Sequence, residues 1–390
     1  MTAQRTIESL VLDETARRSA FPICRNSIFL AHAAVTPLPR VVAEAIISYT
    51  SRSSEAHQEF EGVLEDVKQT RSVAARLISA EPDEIALLGP TSLGLSLFAN
   101  GLSWQPGEEV LCYADDYPAN VYPWLELRRR GVTVRYLKPE TAGAITPELI
   151  AESLSDKTRL VAVATANFLA GYRIDVEGIG KLLGSRGVLF SLDAIQTLGA
   201  FPLSVEHVDF MSADAHKWML GPLASGIVYV KKKHFESLRP PLLGAWNVIS
   251  PNFIALDELT FPPTAQRYEP GALNILGIYG MKTAIELILE VGPEKIAARV
   301  SELRRFFAEA LIDLQYEVAG GSSPDVASGI ISASKPGTDL PAVFRKLQAE
   351  NVVASLRFDR ARNPWLRFSP HFYNTTAELE RVIAIIREGL

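Results

Sequence analysis

Four short segments carry side chains that do chemistry when they are brought together. An amine, Lys217, stands in SADAHKWMLGP beside His216 and just before a Gly-Pro turn. A carboxylate, Asp193, stands in LFSLDAIQTLGA directly after an apolar run, with Gln196 three residues on. Ligand sites of α/β proteins lie at the C-terminal ends of buried parallel strands, which is where this carboxylate falls. The segment GPTSLGLS, Gly89 to Ser96, has the small residues that let backbone N–H groups and a helix N-terminus approach an anion. In WLRFSPHFYNT, Arg367 offers a planar guanidinium suited to gripping a carboxylate through two parallel hydrogen bonds. Taken singly, each has a plainer explanation. Thr91, Ser92 and Asp193 can be helix N-caps, Lys217 a solvated lysine and Arg367 half of a salt bridge.

Other chemistries lack their residues. There is no GxGxxG, no GxxxxGK[ST] and no GxSxG, so the dinucleotide, P-loop and serine-hydrolase signatures are absent. The six histidines are scattered without HExxH or HxH, so no metal is expected. A net charge of −6 argues against nucleic acid and anionic membranes as partners. Cys24 and Cys112, with no CxxC, argue against a disulfide framework and fit a reducing compartment. No apolar run approaches the roughly 20 residues of a membrane span, and the start lacks a signal-like stretch, so a cytoplasmic protein is expected.

The elements that must position these side chains alternate between short apolar runs and helical patterns. Strands are expected at Ser27–Leu30, Ile85–Leu88, Glu109–Tyr113, Thr133–Leu137, Leu160–Ala164, Val188–Leu192, Phe210–Ser212 and Gly226–Val230. Helical stretches such as Asp66–Ile78, Tyr122–Arg130 and Val176–Ser185 lie between them. The alternation predicts an α/β fold with a mostly parallel sheet, buried on both faces and flanked by helices. After Pro262-Pro263 the pattern changes to two long helices, Leu276–Val291 and Pro293–Leu314, then a mixture of strand and helix. The expected organisation is a large domain over 26–262 and a smaller α+β C-terminal domain over 263–390. Residues 1–25 are expected to form an N-terminal segment packing on the small domain.

In order along the chain, these words resemble the fold-type-I pyridoxal 5'-phosphate (PLP) enzymes of the class V aminotransferase and cysteine desulfurase superfamily. The resemblance runs from about Phe29 to the C-terminus. FLAHAAVTPLP is similar to the family's LDNAATTP opening, DDYPANVYPW to its E-x-x-S-N-x-x-P-W segment and YEPGALN to its FEAGTPN stretch. EIALLGPTS is similar to its phosphate-binding turn, and LDAIQTLGAFPL, HKWMLGP and RFSPHFYNT are each close to family motifs. The resemblance implies that Lys217 holds PLP as a Schiff base and later shuttles protons. It implies that Asp193 pairs with the pyridine nitrogen, Gln196 with the phenolic oxygen, and that Tyr117 stacks on the ring. Thr91, Ser92 and His216 would cradle the phosphate, and Arg367 would clamp the carboxylate of an amino-acid substrate. A homodimer is implied by analogy.

Departures from the family pattern matter. Asp214 stands where some relatives carry a phosphate-binding serine, and a carboxylate there repels phosphate unless it points away. Ala272 replaces a threonine lent to the neighbouring subunit's phosphate, leaving only its backbone N–H. His32 replaces an asparagine and is a candidate substrate contact, as is Trp246 in GAWNV, where relatives have a GW loop. The stretch VVASLRFDRARNPWLRFS has no cysteine, and a desulfurase nucleophile belongs there, so a persulfide-forming route is rejected. A class V aminotransferase is put first; the alternative is a β-lyase acting on a C–S or C–C bond, or an epimerase. All of these share an external aldimine and a quinonoid. A non-catalytic PLP-fold scaffold is the least favoured reading, since Lys217, Asp193 and Gln196 are all present. Arg357, Arg360, Arg362 and Arg173 are expected to add positive potential and favour an acidic or neutral side chain.

Overall fold

A computed structural model describes residues 6–11, 13–321, 323 and 325–388. In chain order the strands are β1 Ile28–Phe29, β2 Ile85–Leu87, β3 Glu109–Tyr113, β4 Thr133–Leu137, β5 Thr158–Ala164, β6 Leu189–Asp193, β7 Phe210–Asp214 and β8 Gly226–Val230. They continue with β9 Glu317–Val318, β10 Ile331–Ser334, β11 Val352–Val353, β12 Ser355–Phe358 and β13 Pro364–Phe368. Seven of them build one sheet in the order β2-β8-β7-β6-β5-β3-β4. Its pairings are parallel except where β8 runs against both β7 and β2.

Period-2 alternation explains why these strands are apolar almost throughout. Leu111, Val161, Val163, Phe190, Leu192 and Met211 face one apolar cluster. Their neighbours Val110, Cys112, Leu160, Ala162 and Phe210 face another on the opposite side of the sheet. A sheet covered on both faces needs both sets of side chains. Cys112 is therefore a fully buried sheet residue.

β9, β10, β12 and β13 form a second, antiparallel sheet, in the order β12-β13-β10-β9. It has its own apolar cluster around Leu303, Phe307, Leu366 and Phe368. The packing does not change at the expected division at 262/263. Helix Ile275–Val291 packs on helices Arg40–Glu55 and Val63–Ile78, and buries Ile278, Met281, Ile285 and Ile288 in the large sheet's cluster. Allegiance switches within helix Pro293–Asp313: Ile296 and Val300 join the first cluster, Leu303 and Phe307 the other. The paired prolines mark the end of a loop, whereas helical periodicity says nothing about which core a helix faces.

In the N-terminal segment, Phe21 stacks on Tyr373 at 4.1 Å between ring centroids, and Arg17 Nη1 lies 2.9 Å from Glu378 Oε1. Leu10, Val11, Phe21 and Cys24 also join the large sheet's cluster. Residues 1–5 and 12 of that segment lie outside the described residues. Among the described residues, no helix is long and apolar enough to cross a membrane.

Candidate active site

The sheet delivers its chemistry at one edge. β6 ends on Asp193 and β7 on Asp214, and Lys217 follows three residues later. The turn after β2 opens helix Thr91–Gly101, and the loop after β3 carries Asp116 and Tyr117. β12 and β13 bring in Arg357 and Arg367 from the second sheet. These elements surround a cavity of about 290 Å³ lined by Thr91, Ser92, Tyr117, Asp193, Gln196, His216, Lys217, Arg357 and Arg367, among others.

Burial sets the electrostatics. Lys217 is nearly inaccessible, and desolvation pulls its amine from 10.5 down to about 8; Arg367 and Arg357 push the same way, while Asp193 opposes them. Desolvation also raises the Asp193 carboxyl, opposed by the Ile195 N–H, which donates to Oδ1 at 3.0 Å, and by Lys217. Lys217 Nζ lies 5.3 Å from the centre of the Tyr117 ring, which meets the Phe168 ring in a T-shaped contact with centroids 5.5 Å apart. Arg367 is 2 % exposed and donates from Nη1 to Phe168 O at 2.7 Å. Burial, then Arg357, lowers its guanidinium to about 9. The Nε atoms of Arg367 and Arg357 are buried with no hydrogen-bond partner. Two such donors at one cavity suit an anion, because an unpaired buried N–H is costly.

Helix Thr91–Gly101 begins without a side-chain cap, so its first N–H groups are available to an anion. Thr91 Oγ1 accepts from Asp214 N at 2.8 Å, which leaves its own O–H to donate. Asp214 does not oppose this site. Its Oδ1 accepts from Ala215 N (2.8 Å) and Ser225 N (3.0 Å), and its Oδ2 accepts from Ala224 N (3.1 Å). His216 Nδ1 lies 3.0 Å from the same Oδ2. The carboxylate therefore points away from the cavity.

Three expected contacts lie elsewhere in this chain. His32 is fully buried with both ring nitrogens engaged, Nδ1 with Ser369 O (2.9 Å) and Nε2 with the Tyr373 hydroxyl (2.8 Å). Facing a carbonyl, Nδ1 must donate, so Nε2 accepts from Tyr373, and burial holds the ring neutral. Trp246 is 41 % exposed beside Phe253. Ala272 lines a separate cavity with Gly89, Ser225 and Asn274.

The expected cluster of arginines thins out in the same way. Arg360 pairs with Asp115 and the Ala114 carbonyl, and Arg362 lies exposed in a turn. Arg173 reaches Asp325 O and the Phe201 ring, away from the cavity. Only Arg357 and Arg367 of that group line it.

Asp116, beside Tyr117 in DDYPANVYPW, is a further buried group of the site to which no motif assigns a role. It is buried and accepts from Tyr117 N (2.9 Å), Asn120 Nδ2 (3.0 Å) and Ala164 N (3.1 Å). It ties the Tyr117 loop to the end of β5. Burial, aided by Asp193, raises its carboxyl to about 7. A larger cleft of about 750 Å³ opens on the other side of Phe168, lined by Asp115, Glu140 and Trp365, and does not reach Lys217. Among the described residues no cluster of three or more His, Cys, Asp or Glu forms a metal site.

The arrangement fits PLP. A buried amine of lowered basicity suits the aldehyde, a buried carboxylate suits the pyridine nitrogen, and an uncapped helix N-terminus suits the phosphate. The unpaired arginine Nε atoms suit a substrate carboxylate.

Comparison with known proteins agrees. The chain is 27% identical to a probable cysteine desulfurase of Pyrococcus abyssi, over 95% of this chain and 96% of that protein. It is 27% identical to an uncharacterized aminotransferase, YcbU, of Bacillus subtilis, over 94% and 95%. An apo cysteine desulfurase from Thermococcus onnurineus superposes with a TM-score of 0.90 at 24% identity, covering 100% of this chain and 99% of that one. The cystine C–S lyase C-DES, bound to its product cysteine persulfide, superposes at 0.84 with 21% identity, covering 94% and 98%. At these identities the two structures speak for the fold. The family described as aminotransferase class V matches residues 28–382, and the chain therefore belongs to the class V aminotransferase family, a family of PLP-dependent enzymes.

Proposed function

We propose that this enzyme holds PLP at Lys217 and cleaves the C–S bond of a sulfur-containing amino acid without a protein thiol. The carrying observation is a cavity that joins Lys217, Asp193 and two arginines and contains no cysteine. Burial raises the thiols of Cys24 and Cys112 to about 11 and 12, so neither is a ready nucleophile. Relatives named as desulfurases, and a neighbour named as a C–S lyase, support sulfur chemistry over the transaminase put first on the sequence.

When bound, PLP supplies an electron sink for charge developing at Cα. Arg367, with Arg357 beside it, binds the substrate carboxylate and orients the Cα–H bond. Lys217, near 8, takes that proton as the amine and returns a proton to the departing sulfur as the ammonium. Asp193 holds the proton on the pyridine nitrogen. Phe168 lies between the cavity and the larger cleft and lines both.

Product analysis separates the two readings. With L-cysteine or L-cystine and no keto acid, pyruvate and ammonia should form in equal amounts, with sulfur released. Turnover that needs a keto-acid acceptor and keeps sulfur on the product would instead establish a transaminase.

A homodimer forms part of the same proposal. Leu242, Leu243, Trp246, Ile249, Phe253 and Ile254 are exposed along one segment, and clustered exposed apolar side chains mark interfaces between chains. A second copy covering them accounts for it. Light scattering should give twice the chain mass, and Trp246→Glu with Phe253→Glu should shift it toward one. A wild-type monomer at micromolar concentration would refute the dimer.

A further inference from the structure

The residue after the lysine, Trp218, is almost wholly buried and touches a group that faces the cavity. Its indole Nε1–H donates to Gln196 Oε1 at 3.3 Å, while Gln196 Nε2 donates to Ala33 O at 3.3 Å. An amide can be turned end for end, and in most places either orientation satisfies its surroundings. Here both partners act one way only. An indole N–H can only donate and a backbone carbonyl can only accept, so the oxygen must face Trp218 and the nitrogen must face Ala33. The amide nitrogen carries two hydrogens, and Ala33 takes one. The other is left for the cavity that Gln196 and Ala33 both line.

The indole is itself held in place. His371 Nε2 contacts Trp218 O at 2.9 Å, and His371 Nδ1 accepts from Phe372 N at 2.8 Å, so the ring is the neutral Nε2–H tautomer. Burial, which lowers that ring to about 4, keeps it so. A Cβ on Gly329 would lie 2.4 Å from the indole's Cη2, and one on Gly199 would lie 2.4 Å from Trp218 O. Two glycines thus make room for this side chain and its backbone.

We propose that Trp218 is a positioning residue that sets the polarity of the Gln196 amide, so that the cofactor ring meets an N–H donor and not a carbonyl. The inference rests on the reading that PLP is bound at Lys217. A donor beside the phenolic oxygen stabilises its anionic form and so lowers the pH at which the bound cofactor loses its proton. A carbonyl there repels the same oxygen. Without Trp218 the Ala33 carbonyl alone orients the amide, and the donor is held toward the ring less of the time.

The test uses the full chain loaded with PLP, reading the cofactor's absorbance band as a function of pH. Gln196→Leu should raise the midpoint by about one unit, the size of one charge-assisted hydrogen bond, and Trp218→Phe should raise it by about half as much. The double variant should move no further than Gln196→Leu alone, because Trp218 acts through the amide. Additive shifts, or a Trp218→Phe midpoint within about 0.3 unit of wild type, would overturn the proposal. Should Trp218→Phe fail to fold, Gln196→Glu decides. It keeps an acceptor for the indole but turns an oxygen toward the ring, so its midpoint must also rise, and an unchanged midpoint overturns the proposal. Borohydride labelling of wild type at Lys217, run alongside, shows separately whether the underlying PLP reading holds.

Discussion

Lys217→Met should lose at least about 10⁴-fold in turnover, because the proposed mechanism gives one amine both the cofactor link and the proton transfers. The same substitution should stabilise the cofactor-free protein at pH 7. Burial lowers the amine from 10.5 to about 8, so the folded chain resists a charge that the unfolded chain accepts. Below pH 8 both states hold the proton and the penalty is complete, about 3 kcal/mol at most. Between pH 8 and 10.5 the unfolded state binds more protons than the folded one, so wild-type stability rises with pH. The advantage of Lys217→Met should therefore shrink across that window. Uptake of PLP by wild type should accelerate up to about pH 8 and then level off, since the neutral amine is the nucleophile. Uptake still rising at pH 10, with no stability gain in Lys217→Met, would show an ordinary solvated lysine.

Asp193→Ala should bind PLP more weakly and lose about 10²–10³-fold in turnover, as the carboxylate that holds the pyridine proton is removed. Asp193→Asn should also be poor, because it keeps the shape and the Ile195 N–H contact but not the charge. The variant also removes the one carboxylate that most strongly favours the charged form of Lys217, so that amine should become less basic still. Near-normal turnover in Asp193→Asn would contradict this role.

Much of this site could be read from the sequence because its parts sit at strand ends. An apolar run that must be a buried strand, followed by Asp193 or closely by Lys217, places both at one edge of a parallel sheet. Thr91, Ser92, Tyr117, Gln196, His216 and Arg367 follow from motif order and do line the same cavity. The direction in which a side chain points was not legible. Asp214 turns away because Ala215, Ser225 and Ala224 present N–H groups to it, and two of these arrive from a turn ten or so residues later. His32 reads like a ligand, yet Ser369 and Tyr373 consume both its nitrogens from more than 300 residues away. Arg173 and Arg360 look cationic in sequence, but their partners are backbone carbonyls and Asp115. Ala272 lines a separate cavity and Trp246 stands exposed, so neither belongs to the cavity around Lys217. Helix Ile275–Val291 is legible from its periodicity to within one residue, but periodicity does not say which core it joins.

The central claim is that Lys217 carries the cofactor. Borohydride reduction of the PLP-loaded enzyme, followed by peptide mapping, tests it most directly. The account predicts a single phosphopyridoxyl label on the peptide containing Ala215, His216, Lys217 and Trp218, and none in Lys217→Met. A label on any other lysine, or none in wild type under conditions where PLP is bound, would contradict it.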